Sequence, residues 1–228
     1  METGLASKVV LVTGGAGGIG EEICKAFASE GSKVIVHYHS SSENAAKIAD
    51  EIQGFSIKAD LTKLSETKLM FEKIIEKYGQ IDVCIANAGY YPPEPLPLWD
   101  IDSERWKKTI SSNLDVSVNT ARSFLKHASK NKSGSIVFIG STAGIYGESG
   151  HSDYAAAKGA ITSGLLMSLK NDVSNFGNIR VNAVSPGWTV TPKKLENGID
   201  KELIDKATAT MSLKKLATPQ DVANTVVS

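Results

Sequence analysis

The sequence predicts an α/β fold in which helices cover both faces of a parallel sheet. Short apolar segments rich in Val and Ile alternate with longer helical patterns along the 228 residues. The apolar segments also lack the sustained polar alternation of half-exposed strands. Alternating strands and helices make βαβ units, which build a doubly wound parallel sheet. No repeat, low-complexity tract or linker divides the chain, so residues 1–228 are expected to form a single domain.

The elements follow in a regular order. The predicted strands are Lys8–Val12, Lys33–Tyr38, Phe55–Ala59, Ile81–Ala86, Ser135–Gly140 and Ile179–Val184. The predicted helices between them are Ile19–Ser29, Glu43–Ile52, Ser65–Tyr78, Ser103–Lys130 and Tyr154–Phe176, with further helical patterns at Lys201–Thr210 and Pro219–Val227. The sequence stops at Ser228, inside the last pattern, so we expect a sheet of six strands in which a terminal strand either is missing or is not needed by this protein.

Composition argues against several classes of protein. Lys+Arg and Asp+Glu balance at 25 each, which gives no reason to expect nucleic acid or an anionic membrane as a partner. No apolar run approaches the ~18 residues of a membrane span, and no basic segment followed by an apolar stretch marks a signal peptide. Cys24 and Cys84 have no Cys or His at ligand spacing, so we expect two buried thiols, no metal site and a cytoplasmic location.

A glycine-rich turn, Thr13–Gly20, joins the first strand to the first helix. It contains both Gly-x-Gly-x-x-Gly and Thr-Gly-x-x-x-Gly-x-Gly. Glycines let the backbone approach a pyrophosphate, and the helix N-terminus supplies N–H groups and partial positive charge. Because the turn opens the first βαβ unit, it predicts a Rossmann-type dinucleotide site.

The segment after the second strand bears on cofactor choice. An NAD site usually places an acid there to bind the ribose 2′-OH, but this chain has no acid before Glu43. His39 and the neighbouring serine hydroxyls can accept a 2′-phosphate, which favours NADP over NAD. No Arg or Lys strengthens that preference, and a solvated turn that favours neither cofactor remains an alternative.

Tyr154 and Lys158 are four residues apart in a helical pattern, so their side chains share one face. A free tyrosine titrates near ~10, and an adjacent ammonium favours the phenolate and lowers the pKa. Such a pair alone is common on surfaces. Here Ser141, 13 residues before the tyrosine, ends a strand at the edge of the sheet where ligands bind. Together these side chains predict a site for proton exchange.

In order, these motifs resemble the short-chain dehydrogenase/reductase family, in its single-domain branch. The resemblance covers Ser7 to the C-terminus and adds the motifs Asp60-Leu61, Asn87-Ala88-Gly89, Asn113-Leu114 and Pro186-Gly187. It implies an NAD(P)-dependent oxidoreductase that moves a hydride between nicotinamide and a carbonyl or secondary alcohol of a small sugar, polyol or keto compound. The family normally has a further terminal strand, which this sequence lacks.

The resemblance also implies roles for the catalytic residues. Tyr154 is then the general acid/base and Ser141 orients the carbonyl. Lys158 lowers the tyrosine pKa and holds the nicotinamide ribose, and Asn113 supports a water-linked proton relay. The implied cofactor contacts, which include Tyr154 and Lys158, are Gly14, Gly18, Ile19, Gly20, Tyr38, His39, Ser40, Asp60 at the adenine, Leu61, Asn87 as a brace of the sheet, Ala88, Gly89, Pro186, Gly187 and Thr191 at the carboxamide.

Two other functions remain open at this point. A 3-oxoacyl-acyl-carrier-protein reductase resembles the chain about as well and predicts a basic patch near the cleft, including Arg122 and Lys126. A non-catalytic dinucleotide-sensing protein predicts a broken catalytic set, whereas this set is intact.

The sequence also predicts where a substrate binds and whether subunits assemble. The pocket is expected between Tyr90–Trp99 and a lid at 192–216, with His151 at its rim. The apolar content of the two long helical patterns, Ser103–Lys130 and Tyr154–Phe176, predicts a homo-oligomer, either a dimer or a tetramer. A missing terminal strand favours the dimer.

Overall fold

The computed structural model describes residues 3–191, 198, 201–209, 211 and 213–228. Its strands form one all-parallel sheet in the order β3-β2-β1-β4-β5-β6. The predicted doubly wound, Rossmann-type fold with six strands is therefore confirmed. The strands are β1 (Val9–Val12), β2 (Lys33–Tyr38), β3 (Phe55–Lys58), β4 (Val83–Ala86), β5 (Ser133–Ile139) and β6 (Asn178–Val184).

Helices connect the strands and follow the sheet. The first three connections contain α1 (Gly18–Ser29), α2 (Ser42–Glu51) and α3 (Leu64–Tyr78). A short 3₁₀ turn (Leu98–Asp100), α4 (Ser103–Ile110) and α5 (Val116–Asn131) lie between β4 and β5. The remaining helices are α6 (Ala143–Tyr146), α7 (Ser152–Gly159), α8 (Leu166–Asp172), α9 (Lys201–Thr208) and α10 (Pro219–Val227).

The two long predicted helices are not continuous α-helices. A π-helical turn, Ser111–Asp115, separates α4 from α5, and another, Ala160–Leu165, separates α7 from α8. The Ser117 hydroxyl donates to the carbonyl of Asn113 at one turn and Thr162 to that of Lys158 at the other, a type of contact that bends helices. The second predicted helix also starts two residues earlier, at Ser152, and ends at Asp172 instead of Phe176.

Apolar side chains pack on both faces of the sheet. Along β1, Val9 and Leu11 belong to one core cluster, and Val10 and Val12 belong to the other. This two-sided burial explains the missing polar alternation in the sequence. Helices α1, α2 and α10 contribute to the Val10–Val12 cluster, and α3 and α5 contribute to the opposite one. No helix in the described part of the chain is long and apolar enough to cross a membrane.

The sheet order determines where a ligand can bind. From β1 the chain continues to β2 on one side, while β4 pairs with β1 on the other, which makes a topological switch point at the carboxyl ends of these strands. The glycine-rich turn follows β1, and Asn87 follows β4. Part of the predicted lid at 192–216 lies outside the described residues; within it, α9 matches the predicted helical pattern at Lys201–Thr210.

Candidate active site

The glycine-rich turn packs against the end of β4 with no room for side chains. Gly14 adopts a φ of +62°, and a Cβ on it would lie 2.9 Å from the Cα of Ala88. A Cβ on Gly20 would collide with the carbonyl oxygen of Gly14 and lie 2.7 Å from the amide nitrogen of Asn87. The turn therefore requires glycine at both positions to bring the backbone to the edge of the sheet.

Side-chain hydrogen bonds hold this turn in place. The amide nitrogen of Asn87 donates to the carbonyls of Thr13 (2.9 Å) and Gly14 (3.1 Å). The hydroxyl oxygen of Thr13 in turn accepts from the backbone N–H groups of Asn87 and Ala88, at 3.0 Å each. Asn87 thus connects the end of β4 to the turn, in agreement with the bracing role implied by the resemblance.

His37 adds a contact that the sequence reasoning missed. Its ring is buried, with Nδ1 accepting from the N–H of Gly14 (3.0 Å) and Nε2 lying 3.1 Å from the carbonyl oxygen of Ala59, to which it donates. Burial lowers the pKa of His37 to about 4, so the ring is neutral at physiological pH. The imidazole therefore connects the glycine-rich turn to the end of β3. The sequence signal for this contact was His37 itself, a polar residue inside an apolar strand.

A first cavity of about 450 Å³ lies between the turn and the ends of β2 and β3. We call it the cofactor-side cavity. Hydrogen bonds from Thr62 and the nearby Lys63 ammonium lower the pKa of Asp60, so this carboxyl is ionised there. The predicted cofactor residues in its wall are Gly14, Tyr38, His39, Ser40, Asp60, Leu61, Ala88 and Gly89.

A second cavity of about 260 Å³ adjoins the first, since Gly89 and Tyr90 line both. We call it the substrate-side cavity. All four predicted catalytic residues line it: Asn113, Ser141, Tyr154 and Lys158. So do the predicted cofactor residues Ile19, Asn87, Gly89, Pro186, Gly187 and Thr191.

Two predicted cofactor residues, Gly18 and Gly20, line neither cavity. A Cβ on Gly18 would lie 3.0 Å from the Thr191 methyl carbon, so this glycine allows the segment after β6 to approach the turn. Gly20 allows the turn to pack on Asn87. Their role in this structure is to permit close packing.

The electrostatics of Tyr154 differ from the expectation. Lys158 is buried, its Nζ donates to the carbonyl oxygen of Ile139 (2.8 Å), and burial lowers its pKa to about 8. The same Nζ lies 5.7 Å from the centroid of the Tyr154 ring. Burial of the phenol raises the pKa of Tyr154; a hydrogen bond with Ser141 opposes the shift, and the charge of Glu148 adds to it. Lys158 is not among the groups that shift this pKa, so the lowering by Lys158 stays a prediction.

Asn113 lies in the first π-helical turn, a local geometry that often occurs at functional sites. Its amide nitrogen donates to the carbonyls of Tyr90 (2.8 Å) and Thr109 (2.9 Å), and its Oδ1 accepts from the N–H of Tyr90 (3.2 Å). A Cβ on Gly89 would lie 2.8 Å from this Oδ1 and 3.5 Å from Nζ of Lys158. Glycine therefore keeps open the space between these two polar groups.

His151 was expected at the rim of the pocket, but its side chain is buried, at 5% exposure. Its Nε2 lies 3.1 Å from the carbonyl oxygen of Pro92, and its ring stacks on Tyr91 with centroids 4.5 Å apart. The Tyr91 hydroxyl donates to Glu148 (2.6 Å). Sequence reasoning missed Glu148, since this partner is 57 residues away along the chain.

The model of the short chain dehydrogenase family matches residues 8–201. The chain is 33% identical to the 3-oxoacyl-[acyl-carrier-protein] reductase FabG of Thermotoga maritima over 98% of this chain and 90% of that protein. It is 30% identical to the L-fucose dehydrogenase of Bos taurus over 100% of this chain and 84% of that protein. The crystal structure of gox2181 superposes with a TM-score of 0.92 at 26% identity, covering 100% of this chain and 90% of that one.

The fold and the clustered polar residues agree with these matches. The chain therefore belongs to the short-chain dehydrogenase/reductase family, and it is an NAD(P)-dependent oxidoreductase acting on a CH–OH or C=O group of a small substrate.

Proposed function

We propose that the enzyme interconverts a secondary alcohol and a carbonyl in a small, neutral hydroxy or keto compound such as a sugar or polyol, with NADP preferred over NAD. One observation carries the proposal. Ser141, Tyr154 and Lys158 converge with Asn113 on a cavity that adjoins a second one beside the glycine-rich turn.

The cofactor would occupy the two adjoining cavities. Helix α1 begins at Gly18 without a side-chain cap, so its first N–H groups are available for the pyrophosphate. Tyr38, His39 and Ser40 would receive the adenosine ribose, and the absence of an acid in the segment 38–42 supports NADP. Lys158 would hold the nicotinamide ribose, and Thr191 the carboxamide.

The protein's residues then handle the substrate oxygen and its proton. When bound, the nicotinamide supplies or accepts the hydride. Ser141 donates a hydrogen bond to the carbonyl oxygen and fixes its position, and Tyr154 gives the proton that converts this oxygen to a hydroxyl. The raised pKa of Tyr154 keeps the phenol protonated at neutral pH, which is the state that reduction requires.

Turnover of a panel of sugars, polyols and secondary alcohols, with NADP and NAD compared, tests the proposal. We expect oxidation of at least one neutral polyhydroxy compound, with the larger kcat/KM for NADP. No turnover of any alcohol in the panel would overturn the proposed substrate class, and a clear preference for NAD would overturn the cofactor assignment.

A second candidate is reduction of 3-oxoacyl thioesters on acyl-carrier protein. Arg122 and Lys126 are exposed on α5, one turn apart, and so could contact an acidic carrier protein. The named activity of the Thermotoga maritima relative supports the same candidate. An assay with acetoacetyl-acyl-carrier protein separates the two, because the leading proposal expects turnover there to be much slower than with the best polyol.

We also propose a cytoplasmic homo-oligomer, a dimer or a tetramer. Trp106 on α4 and Met167 on α8 remain 37% and 46% exposed, which supports a contact through these helices. Phe124 and Ile161, by contrast, are buried in the chain's own core. Sedimentation at micromolar concentration is expected to show more than one subunit, and a purely monomeric species would contradict this.

A further inference from the structure

Three side chains outside the predicted catalytic set form a group beside the catalytic tyrosine. They are Tyr91, from the segment after β4, and Glu148 and His151, from the segment between α6 and α7. Tyr91 and Glu148 both line the substrate-side cavity. The Tyr91 ring stands edge-on to the ring of Tyr154, with centroids 5.1 Å apart. The group is therefore next to Tyr154, the residue proposed to exchange the proton, and contacts it through the ring of Tyr91.

A hydrogen bond from Tyr91 fixes the carboxylate of Glu148 through one oxygen. Oε1 accepts from the Tyr91 hydroxyl (2.6 Å) and lies 3.8 Å from Nδ1 of His151. Nδ1 of His151 is also 3.4 Å from the Tyr91 hydroxyl, and the ring is anchored through Nε2 at the carbonyl oxygen of Pro92. Tyr91 and His151 thus restrict where the carboxylate can point.

The other oxygen of Glu148 remains available. Among the described residues, none donates a hydrogen bond to Oε2, and the side chain is 30% exposed in the cavity wall. The other charged side chain in the described part of that wall is Lys158, which is buried and donates to Ile139. The charge of Glu148 reaches the reaction centre, because it contributes to the raised pKa of Tyr154.

We propose that Glu148 is a specificity-determining residue whose carboxylate accepts a hydrogen bond from a substrate hydroxyl on the carbon next to the reacting one. A charge-assisted hydrogen bond favours such a hydroxyl, and the uncompensated charge disfavours a substrate with a carboxylate at that position. Tyr91 and His151 are positioning residues for this acceptor. The inference rests on the proposed function and narrows it to polyhydroxy substrates.

The test compares four alcohols that share a CH(OH)–CH₂–CH₃ group. They are 1,2-butanediol, 3-pentanol, 2-hydroxybutanoate and 1-amino-2-butanol, with oxidation at the shared secondary carbon followed by product identification. For the wild-type enzyme we expect kcat/KM to be at least about tenfold higher for 1,2-butanediol than for 3-pentanol, and lowest for 2-hydroxybutanoate. Glu148→Gln should reduce the diol preference to within about threefold, mainly through KM, and improve 2-hydroxybutanoate about tenfold.

Two further variants separate recognition from folding. Tyr91→Phe removes only the hydroxyl that holds Oε1, so it should lower the diol preference less than Glu148→Gln does. Glu72→Gln removes the same charge from the exposed surface of α3, outside both cavities, and should leave all four values unchanged within twofold.

Several outcomes overturn the inference. The first is a wild-type enzyme with no preference for the diol over 3-pentanol. The second is an equal fall in kcat/KM for the diol and 3-pentanol in Glu148→Gln. The third is a higher wild-type kcat/KM for 1-amino-2-butanol than for the diol, which would indicate a cation site. If the wild-type enzyme turns over the panel of sugars and polyols, these outcomes leave the proposed function intact. Failure of the proposed function appears instead as no turnover of any alcohol by the wild-type enzyme.

Discussion

The cofactor-side and substrate-side cavities adjoin, but they are built in different ways. The cofactor side depends on close backbone packing: the glycine-rich turn has no room for a Cβ at Gly14 or Gly20, and the side chain of Asn87 braces it. The substrate side consists mainly of side chains from loops that are distant in sequence, such as Tyr91 and Glu148. A site made of backbone tolerates little change in residue size, whereas a site made of side chains can change its substrate one residue at a time.

The first prediction tests the chemistry on the substrate side and has the largest expected effect. Tyr154→Phe should lower kcat by ~10²–10⁴, because the phenol is the group that gives and takes the proton. The Kd of NADP, measured by titration calorimetry, should stay within a few-fold, since the cofactor-side cavity is unchanged. A variant that retains more than a tenth of the wild-type rate would show that another group exchanges the proton.

A matched control keeps this result specific. Tyr78→Phe removes a hydroxyl from a tyrosine that packs edge-on against Phe55, outside both cavities. Its kcat should remain at the wild-type value.

The second prediction disturbs the cofactor side alone. In Gly20→Ala the new methyl group would overlap the carbonyl oxygen of Gly14, so the turn must shift. Overpacking of this kind costs about 1–3 kcal/mol, which corresponds to a rise of roughly fivefold to 150-fold in the Kd of NADP, together with a lower Tm. At saturating cofactor, kcat should fall much less than in Tyr154→Phe.

Gly164→Ala is the control for that substitution. A Cβ at Gly164 meets nothing within 4 Å, so this variant should bind NADP like the wild-type enzyme. If Gly20→Ala also binds NADP like the wild-type enzyme, the close packing of the turn at Gly20 is not needed for cofactor binding.

The sequence signals of the cofactor side are local. The glycine-rich turn lies next to the strand it follows. On the substrate side, the spacing of Tyr154 and Lys158 on one helix face is also a local signal. The substrate side depends on contacts between segments that are distant in sequence, so the Tyr91–Glu148 hydrogen bond could not be predicted from the sequence. The sign of the Tyr154 pKa shift was missed for a related reason: it depends on burial, which no spacing in the sequence reveals.

The third prediction concerns cofactor choice, where we expect a moderate effect. Tyr38 stands where an NAD site would place an acid, and Tyr38→Asp should supply the partner of the ribose 2′-OH and repel a 2′-phosphate. The preference for NADP should then reverse, with a change of roughly tenfold because the wall at His39 and Ser40 is exposed. Comparing kcat/KM for both cofactors measures it, and Tyr38→Phe, which adds no charge, should keep the wild-type preference.

The smallest expected effect is a shift in the pH profile of kcat/KM. It tests whether the charge of Glu148 acts on the phenol of Tyr154. Among the residues that the structure describes, the groups that face the Tyr154 phenol are Ser141, Tyr91, Glu148 and Lys158. Alcohol oxidation needs the phenolate as base, so kcat/KM should rise with pH through the pKa of Tyr154. The charge of Glu148 raises that pKa, so Glu148→Gln should move the rise to lower pH, by less than about one unit for a partly exposed charge.

Ser141 lowers the same pKa, so Ser141→Ala should move the rise to higher pH, whatever its effect on the maximum rate. Lys158, with a pKa of about 8 set by burial, should titrate at the same pH in both variants and provides the internal reference. If Glu148→Gln left the profile in place, or moved it upward, the carboxylate would not lie close enough to influence the proton transfer.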